Sequence, residues 1–371
     1  MKADRSVHAP WWYKTPWHAE LAQVTIRMFI KGSVFAAVLM GGLSFSSAAS
    51  PRTKEAMEPA TRLQVFLDRS NFSPGKLDGR FGEFTVKALN LYRQSKGEQP
   101  KPAAPAKKDA TPDVTGLDFS TATPVFITYT VTDADLATVG ELGATVELKA
   151  KQKSLPYKDA AEAIAEKFHS DVDFLEELNP GKMKAIKAGD HLNVPNVEPF
   201  DLAAVKNLTP GSSTAVNDEE DTTEPNGAPP ADKPDTVTLS VSVDVKSGML
   251  QVQEGAHIIA AYPVTVGSAH TESPIGEWKV KGVAKMPNFR YDKEMLNHGK
   301  RSGDFQLLPP GPNNPVGVMW IQLNKKGIGL HGTDDPDSIG RSASHGCVRL
   351  ANWDVARLAT RVKGGVPVSI H

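Results

Sequence analysis

Apolar residues recur along this chain at two periods, and the change of period divides it. Leu63, Phe66 and Leu67, then Val86, Leu89 and Tyr92, sit at helical spacing on either side of Ser73-Pro74-Gly75, which predicts two short helices around a turn over 55–96. Ala161, Ile164, Ala165 and Phe168 predict another helix, and Phe174, Leu175 and Leu178 one more that Asn179-Pro180-Gly181 closes. Val125 to Val131 and Leu192 to Pro195 read as strands, so the 120–200 block is expected to pack two helices on two strands. From Val237 the period becomes two. Val237, Leu239, Val241, Val243 and Val245 alternate with polar residues, Lys246-Ser247-Gly248 turns the chain into Met249 to Gln253, and Glu254-Gly255 turns it into His257 to Val266. Further strand-like runs at Glu277 to Val283, Met319 to Leu323, Gly327 to Leu330 and Val366 to Ile370 predict a mostly β block over 237–371. Its one clear helix is Trp353 to Val362, with Asn352 as N-cap.

Between the blocks, 97–119 and 201–236 lack an apolar period and are rich in proline and charge, as solvated linkers are. The expected fold class is therefore multidomain: a small α-helical domain, a small α+β module and a mostly β, sandwich-like domain with a helix. At the amino terminus, residues 32–50 carry no charge, follow Lys31 and end in Ser47, Ala48, Ala49 and Ser50, which reads as a signal peptide over 1–49 cleaved near Ala49. Met28 would open a leader of ordinary proportions. Cleavage predicts an exported protein of the periplasm or cell wall, and a retained leader would make a membrane anchor. Lipidation at the leader is excluded, because the one cysteine of the chain is Cys347.

With 42 Lys+Arg against 43 Asp+Glu, the net charge of −1 gives no electrostatic reason to expect nucleic acid. A single cysteine excludes a disulfide-stapled domain and turns attention to what surrounds it. His331-Gly332-Thr333 precedes Ser344-His345-Gly346-Cys347-Val348-Arg349-Leu350. Cysteine chemistry needs a thiolate, a base and a donor pocket for an oxyanion, and these residues can supply all three. Polar and flexible neighbours argue against a merely buried thiol. His331 and His345 compete for the role of base. Zinc held by Cys347 and both histidines is the alternative, disfavoured by the absence of a paired cysteine or a His-Glu-x-x-His helix.

Ser273-Pro274-Ile275-Gly276, Asn314-Pro315-Val316-Gly317 with Trp320, His331-Gly332-Thr333, Ile339-Gly340, the cysteine motif and Gly365-Val366-Pro367-Val368 occur in an order that resembles the YkuD-type L,D-transpeptidase catalytic domain. The resemblance implies a cysteine acyltransferase on peptidoglycan stem peptides, forming 3–3 cross-links without metal, nucleotide or organic cofactor. It assigns Cys347 as nucleophile, His331 as base and the Gly332 carbonyl as its orienting group. Backbone N–H groups around Ser344, His345, Gly346 and Cys347 would form the oxyanion pocket, and Arg349 would pair with a substrate carboxylate and lower the thiol pKa. Trp320 would contact substrate. Residues 285–313, with Phe289, Tyr291 and Lys300-Arg301 but no clear period, read either as a lid over the cleft, with Tyr291 on the substrate, or as an ordinary structural loop. Transfer to an outer-membrane lipoprotein, carboxypeptidase or endopeptidase action, and a non-enzymatic wall-binding scaffold are the alternatives. Upstream, Leu63-Gln64, Pro74-Gly75, Asp78-Gly79 and Phe81-Gly82 resemble a helical peptidoglycan-binding domain. The 120–200 block resembles a LysM glycan-binding module, with 132–154 as an insertion. Both modules are expected to move freely on their linkers.

Overall fold

In the computed structural model, which describes residues 52–99, 111–208, 238–267, 274–298, 300–341 and 346–371, the helical periods upstream and the alternation downstream each build a core. The expected leader over 1–49, the start at Met28, Ser273, Ser344, His345 and much of both expected linkers lie outside the described residues.

The first block is a helical hairpin. Helix α1 (Lys54–Arg69) begins after Thr53, whose hydroxyl accepts from the Ala56 backbone, and α2 (Glu83–Ser95) begins after Gly82. The motif residues of the connection lock to one another. The buried Gln64 amide oxygen accepts from the Asp78 and Gly79 N–H groups at 3.3 and 3.0 Å, and its nitrogen donates to Asp78 Oδ1 at 2.9 Å. Gly79 sits at φ +63°, where a Cβ would also stand 2.9 Å from the Phe174 ring, so only glycine fits.

The second block runs β1 (Phe126–Thr130), α3 (Asp133–Leu136), α4 (Val146–Ala150), α5 (Ala160–Lys167), α6 (Val172–Leu178) and β2 (His191–Pro195). β1 pairs antiparallel with β2, Thr128 opposite Asn193, and Asp159 and Asp171 cap α5 and α6 through their side chains. The 132–154 insertion carries α3 and α4. Helix α7 (Leu202–Asn207) falls within the stretch expected as linker, and its Val205 is buried in the downstream core.

Downstream come β3 (Leu239–Asp244), β4 (Met249–Glu254), β5 (His257–Pro263), β6 (Gly276–Lys285), β7 (Phe289–Tyr291), α8 (Lys293–His298), β8 (Gln306–Leu308), β9 (Met319–Leu323), β10 (Gly329–His331), β11 (Val348–Arg349), α9 (Asn352–Arg361) and β12 (Pro367–Ile370). Eight of these strands form one sheet in the order β11-β10-β9-β6-β12-β3-β4-β5. Register shifts at Val280/Gly282 and Val252/Gln253 bend it, so the expected sandwich-like layering is realised as a single curled sheet packed against α9. The remaining pair, β7 and β8, makes a separate hairpin.

Two expectations are corrected here. Asn352 is not the N-cap of α9: Ala351 takes that place without a side-chain cap, and the fully buried Asn352 amide accepts from Val318 N at 3.1 Å and donates to Glu166 at 3.1 Å. Nor do the upstream blocks move freely, because Ser50–His371 is one compact unit. Met249 and Ala261 enter the upstream core, Ser73 N donates to Ala261 O at 2.8 Å, and Asp68 of α1 receives Arg357 of α9 at 2.9 and 3.1 Å.

Candidate active site

Alternation at one corner of the sheet separates core from chemistry. Ile321, Leu330 and Val348 are paired across β9, β10 and β11, and all three are fully buried among the apolar side chains of the core. The next row, Trp320, His331 and Arg349, is paired in the same way and therefore faces the opposite side. Cys347 lies two residues before Arg349, so the pleat turns its side chain to that same side. Gly346 precedes it at φ +105°, a backbone conformation that glycine tolerates and other residues resist.

His331 is 5% exposed, with Nδ1 2.6 Å from the Gly332 carbonyl oxygen. A carbonyl only accepts, so Nδ1 carries the proton and Nε2 is the basic nitrogen. Trp320 stacks on the imidazole at 5.3 Å and 17°. Burial pushes the His331 pKa down to about 4, with Arg349 acting in the same direction and the Gly332 hydrogen bond opposing it. The same burial pushes the Cys347 thiol up to about 11, against smaller lowering effects from the Gly329 backbone and Arg349. Arg349 was expected to lower the thiol pKa below its ordinary value. It acts in that direction, but desolvation outweighs it.

Cys347 Sγ lies 3.6 Å from the Gly327 carbonyl oxygen, and Arg349 Nη1 donates to Ser338 Oγ at 3.4 Å. Among the described residues, the buried Arg349 Nε has no hydrogen-bond partner. Gly332 could not be another residue, because its Cβ would stand 2.2 Å from Asn352 Oδ1.

A cavity of about 860 Å³ covers this face. His331, Cys347, Arg349 and Trp320 line its floor, and Phe289, Tyr291 and Leu296 line the 285–313 side. That segment is the β7–β8 hairpin with α8, and Tyr291 does reach the cavity. Sequence reasoning missed the residue that anchors it. Asp292 is 1% exposed and accepts from Ser302 N, Ser302 Oγ, Met295 N and Arg290 at 2.7 to 3.1 Å. The Ser302 backbone contact, with the Met295, Ser302 Oγ and Arg290 bonds, holds this carboxyl well below the usual carboxylate range. Its bond from Met295 N, three residues on, is an N-cap pattern that the Asp292-Lys293-Glu294-Met295 sequence carried. Among the described residues, no group of three or more histidine, cysteine or acidic side chains is placed to hold a metal ion.

The YkuD family model, an L,D-transpeptidase catalytic domain, matches residues 240–370. The chain is 33% identical over 137 residues to the protein named L,D-transpeptidase YkuD of Bacillus licheniformis, a match that covers 37% of this chain and 68% of that one. It is 31% identical over 143 residues to the L,D-transpeptidase ErfK/SrfK of Salmonella typhimurium, covering 37% of this chain and 45% of the relative. An L,D-transpeptidase structure from Mycobacterium smegmatis aligns at 18% identity and a TM-score of 0.29, over 36% of this chain and 58% of that one.

Proposed function

Because the chain belongs to the YkuD family of L,D-transpeptidases, we propose that it forms 3–3 cross-links in peptidoglycan through a Cys347 thioester. The observation that carries this reading is the shared face of His331 and Cys347, with Nδ1 of His331 tied to the Gly332 carbonyl.

In this mechanism the donor is a tetrapeptide stem, and the bond attacked joins its third and fourth residues. Proton transfer from the thiol to His331 accompanies the attack. Sγ bonds to the carbonyl carbon while Nε2 takes the thiol proton. The oxyanion is held by backbone N–H groups of the 344–347 segment. Collapse breaks the C–N bond to the terminal D-alanine, whose nitrogen receives the proton from His331, and leaves a thioester. An amine of a second stem then attacks the thioester, gives its proton to Nε2 and displaces the thiolate, which is reprotonated. Arg349, with its buried Nε lacking a protein partner among the described residues, is the group that receives a substrate carboxylate. Tyr291 and Trp320 contribute the walls against which the stem packs.

The working place of this chemistry is the exported compartment, with the hairpin of α1 and α2 and the α+β block serving as wall-binding modules. The residues that resemble a peptidoglycan-binding domain and a LysM module support that assignment. Among the described residues no helix is long and apolar enough to cross a membrane.

Incubating the full chain with tetrapeptide muropeptides and reading intact mass and products tests the reading. A thioester and a cross-linked dimer with wild type, and neither with Cys347→Ala, are expected. A thioester that resolves only to tripeptide points to water or a lipoprotein lysine as acceptor. A folded wild-type protein that forms no adduct removes the enzyme reading.

A further inference from the structure

Glu166 lies on α5, in a block that resembles a binding module, yet its carboxyl faces α9 of the catalytic block. It is 7% exposed. Tyr157 Oη donates to its Oε1 at 2.8 Å, and Asn352 Nδ2 donates to the same oxygen at 3.1 Å. The other end of that Asn352 amide accepts from Val318 N at 3.1 Å. Its Oδ1 also fills the space beside two glycines: a Cβ on Gly317 would stand 2.1 Å from it, and one on Gly332 would stand 2.2 Å away. Gly317 and Gly332 are pressed against one another, since a Gly317 Cβ would lie 2.6 Å from Gly332 Cα. Gly332 carries the carbonyl that fixes the His331 tautomer.

We propose that Glu166 and Asn352 are positioning residues for His331, a line of contacts through which the upstream block sets the Gly332 carbonyl against the catalytic imidazole. The proposal rests on the reading of His331 as the base. An asparagine amide turned through 180° would present nitrogen to Val318 N and to the glycines, and oxygen to Glu166. Glu166, while it acts as an acceptor, excludes that orientation together with the Pro312 carbonyl, to which Asn352 Nδ2 also donates at the longer distance of 3.3 Å. Tyr157, itself buried, gives Glu166 its second donor, and Asn313 Nδ2 bonds to Pro156 O at 2.7 Å, tying the 310–314 turn to the same segment. The 120–200 block is on this account part of the catalytic machinery's frame, whatever else it binds.

The test follows alkylation of Cys347 by iodoacetamide in the full chain, read by intact mass across pH, alongside acylation by tetrapeptide muropeptide. Cys347 is the only thiol, so one adduct reports one site. Glu166→Ala is expected to slow neutral-pH alkylation and acylation at least tenfold while KM changes less than twofold. Glu166→Gln, which keeps an acceptor oxygen, should recover most of that rate, and Tyr157→Phe should fall between. In a His331→Ala background the Glu166→Ala change should add nothing. A Glu166→Ala protein that melts lower but keeps the wild-type pH profile and rate would overturn the proposal, as would an undiminished Glu166 effect without His331. If Glu166→Ala does not fold, Tyr157→Phe with an unchanged pH profile decides against it. If His331→Ala alone alkylates and acylates like wild type, the base reading fails first, and that outcome is distinct from the others.

Discussion

Two carboxylates reach α9 from the upstream helices, and the molecule treats them oppositely. Asp68 of α1 is fully enclosed, and burial alone would raise its pKa. Arg357 at 2.9 and 3.1 Å and His169 at 2.8 Å overcome that effect and hold it well below the usual range. Glu166 of α5 is buried among neutral donors only, and burial pushes it up to about 8. Depth does not distinguish them; the presence of a cation does. One contact is an ion-paired bolt between blocks, while the other is a neutral acceptor that orients an amide. Asp354 of α9 shows that the cation must bond the carboxylate: Arg357 makes its hydrogen bonds to Asp68 and stands 4.0 Å from Asp354, which burial and the Asp68 charge push up to about 8.

Removing the bolt should have the largest effect on stability. Asp68→Ala leaves Arg357 partly buried without its carboxylate, and breaking such a pair from one side costs about 3–5 kcal/mol. Urea unfolding at neutral pH should register that loss. A loss under about 1 kcal/mol would mean that water reaches the guanidinium and that the blocks are held by apolar contacts alone.

This contrast was not legible in the sequence, although much of the site was. The alternation from Val237 onward marked the strands because one face of the sheet is buried, and a period of two is what that geometry demands. Cys347 and His331 stood out because their neighbours are polar and flexible where a core residue would have apolar ones. What failed was everything that depends on the far side of a contact. Asn352 before an apolar helix reads as an N-cap, but Val318 N, Glu166 and Pro312 O, distant in the chain, claim its amide instead. Arg349 beside Cys347 reads as a cation that activates a thiol, but desolvation of the thiol in the folded chain outweighs it. Asp68 and Arg357 each look like ordinary charges on helix surfaces, and their pairing across 289 residues leaves no periodic trace. The linkers read as free because composition reports solvation, not the docking of the blocks they join.

The pH dependence of folding should separate the two carboxylates next. Glu166 keeps its proton in the folded state up to about 8 but loses it in the unfolded chain near the ordinary glutamate value of 4.5. Between those values the folded state binds the extra proton, so stability falls as pH rises, by at most about 1.4 kcal/mol per pH unit from this group, and levels off above. Glu166→Gln should flatten that part of the curve, leaving the share due to Asp354, which has the same sign. Asp68 runs the other way: its contribution is present above the unfolded carboxylate value and is lost only as acid protonates the folded pair, so Asp68→Asn should change the acid limb, and by removing the charge that raises Asp354 it should also reduce the Asp354 share of the neutral slope. Unfolding midpoints taken across pH for both variants check this. A Glu166→Gln curve parallel to wild type between pH 5 and 8 would mean that Glu166 is ionised when folded.

The smallest change sharpens the same point. Tyr157→Phe removes one of two donors to Glu166 Oε1 without opening a cavity, and losing a neutral hydrogen bond should cost about 1 kcal/mol while Glu166 is protonated. Above its pKa the same hydroxyl would be bonding a carboxylate, and a bond to a charged acceptor contributes about 1.5–3 kcal/mol. The Tyr157 bond is one of the contacts that lower the Glu166 pKa, so its removal should also move the titration upward. The deficit of Tyr157→Phe relative to wild type should therefore be small at pH 6 and larger at pH 9, provided the variant is compared with wild type at each pH. A deficit that is equal at the two values would mean that Glu166 carries the same charge at both, and the distinction between a paired carboxylate and a neutral one would lose its basis at α9.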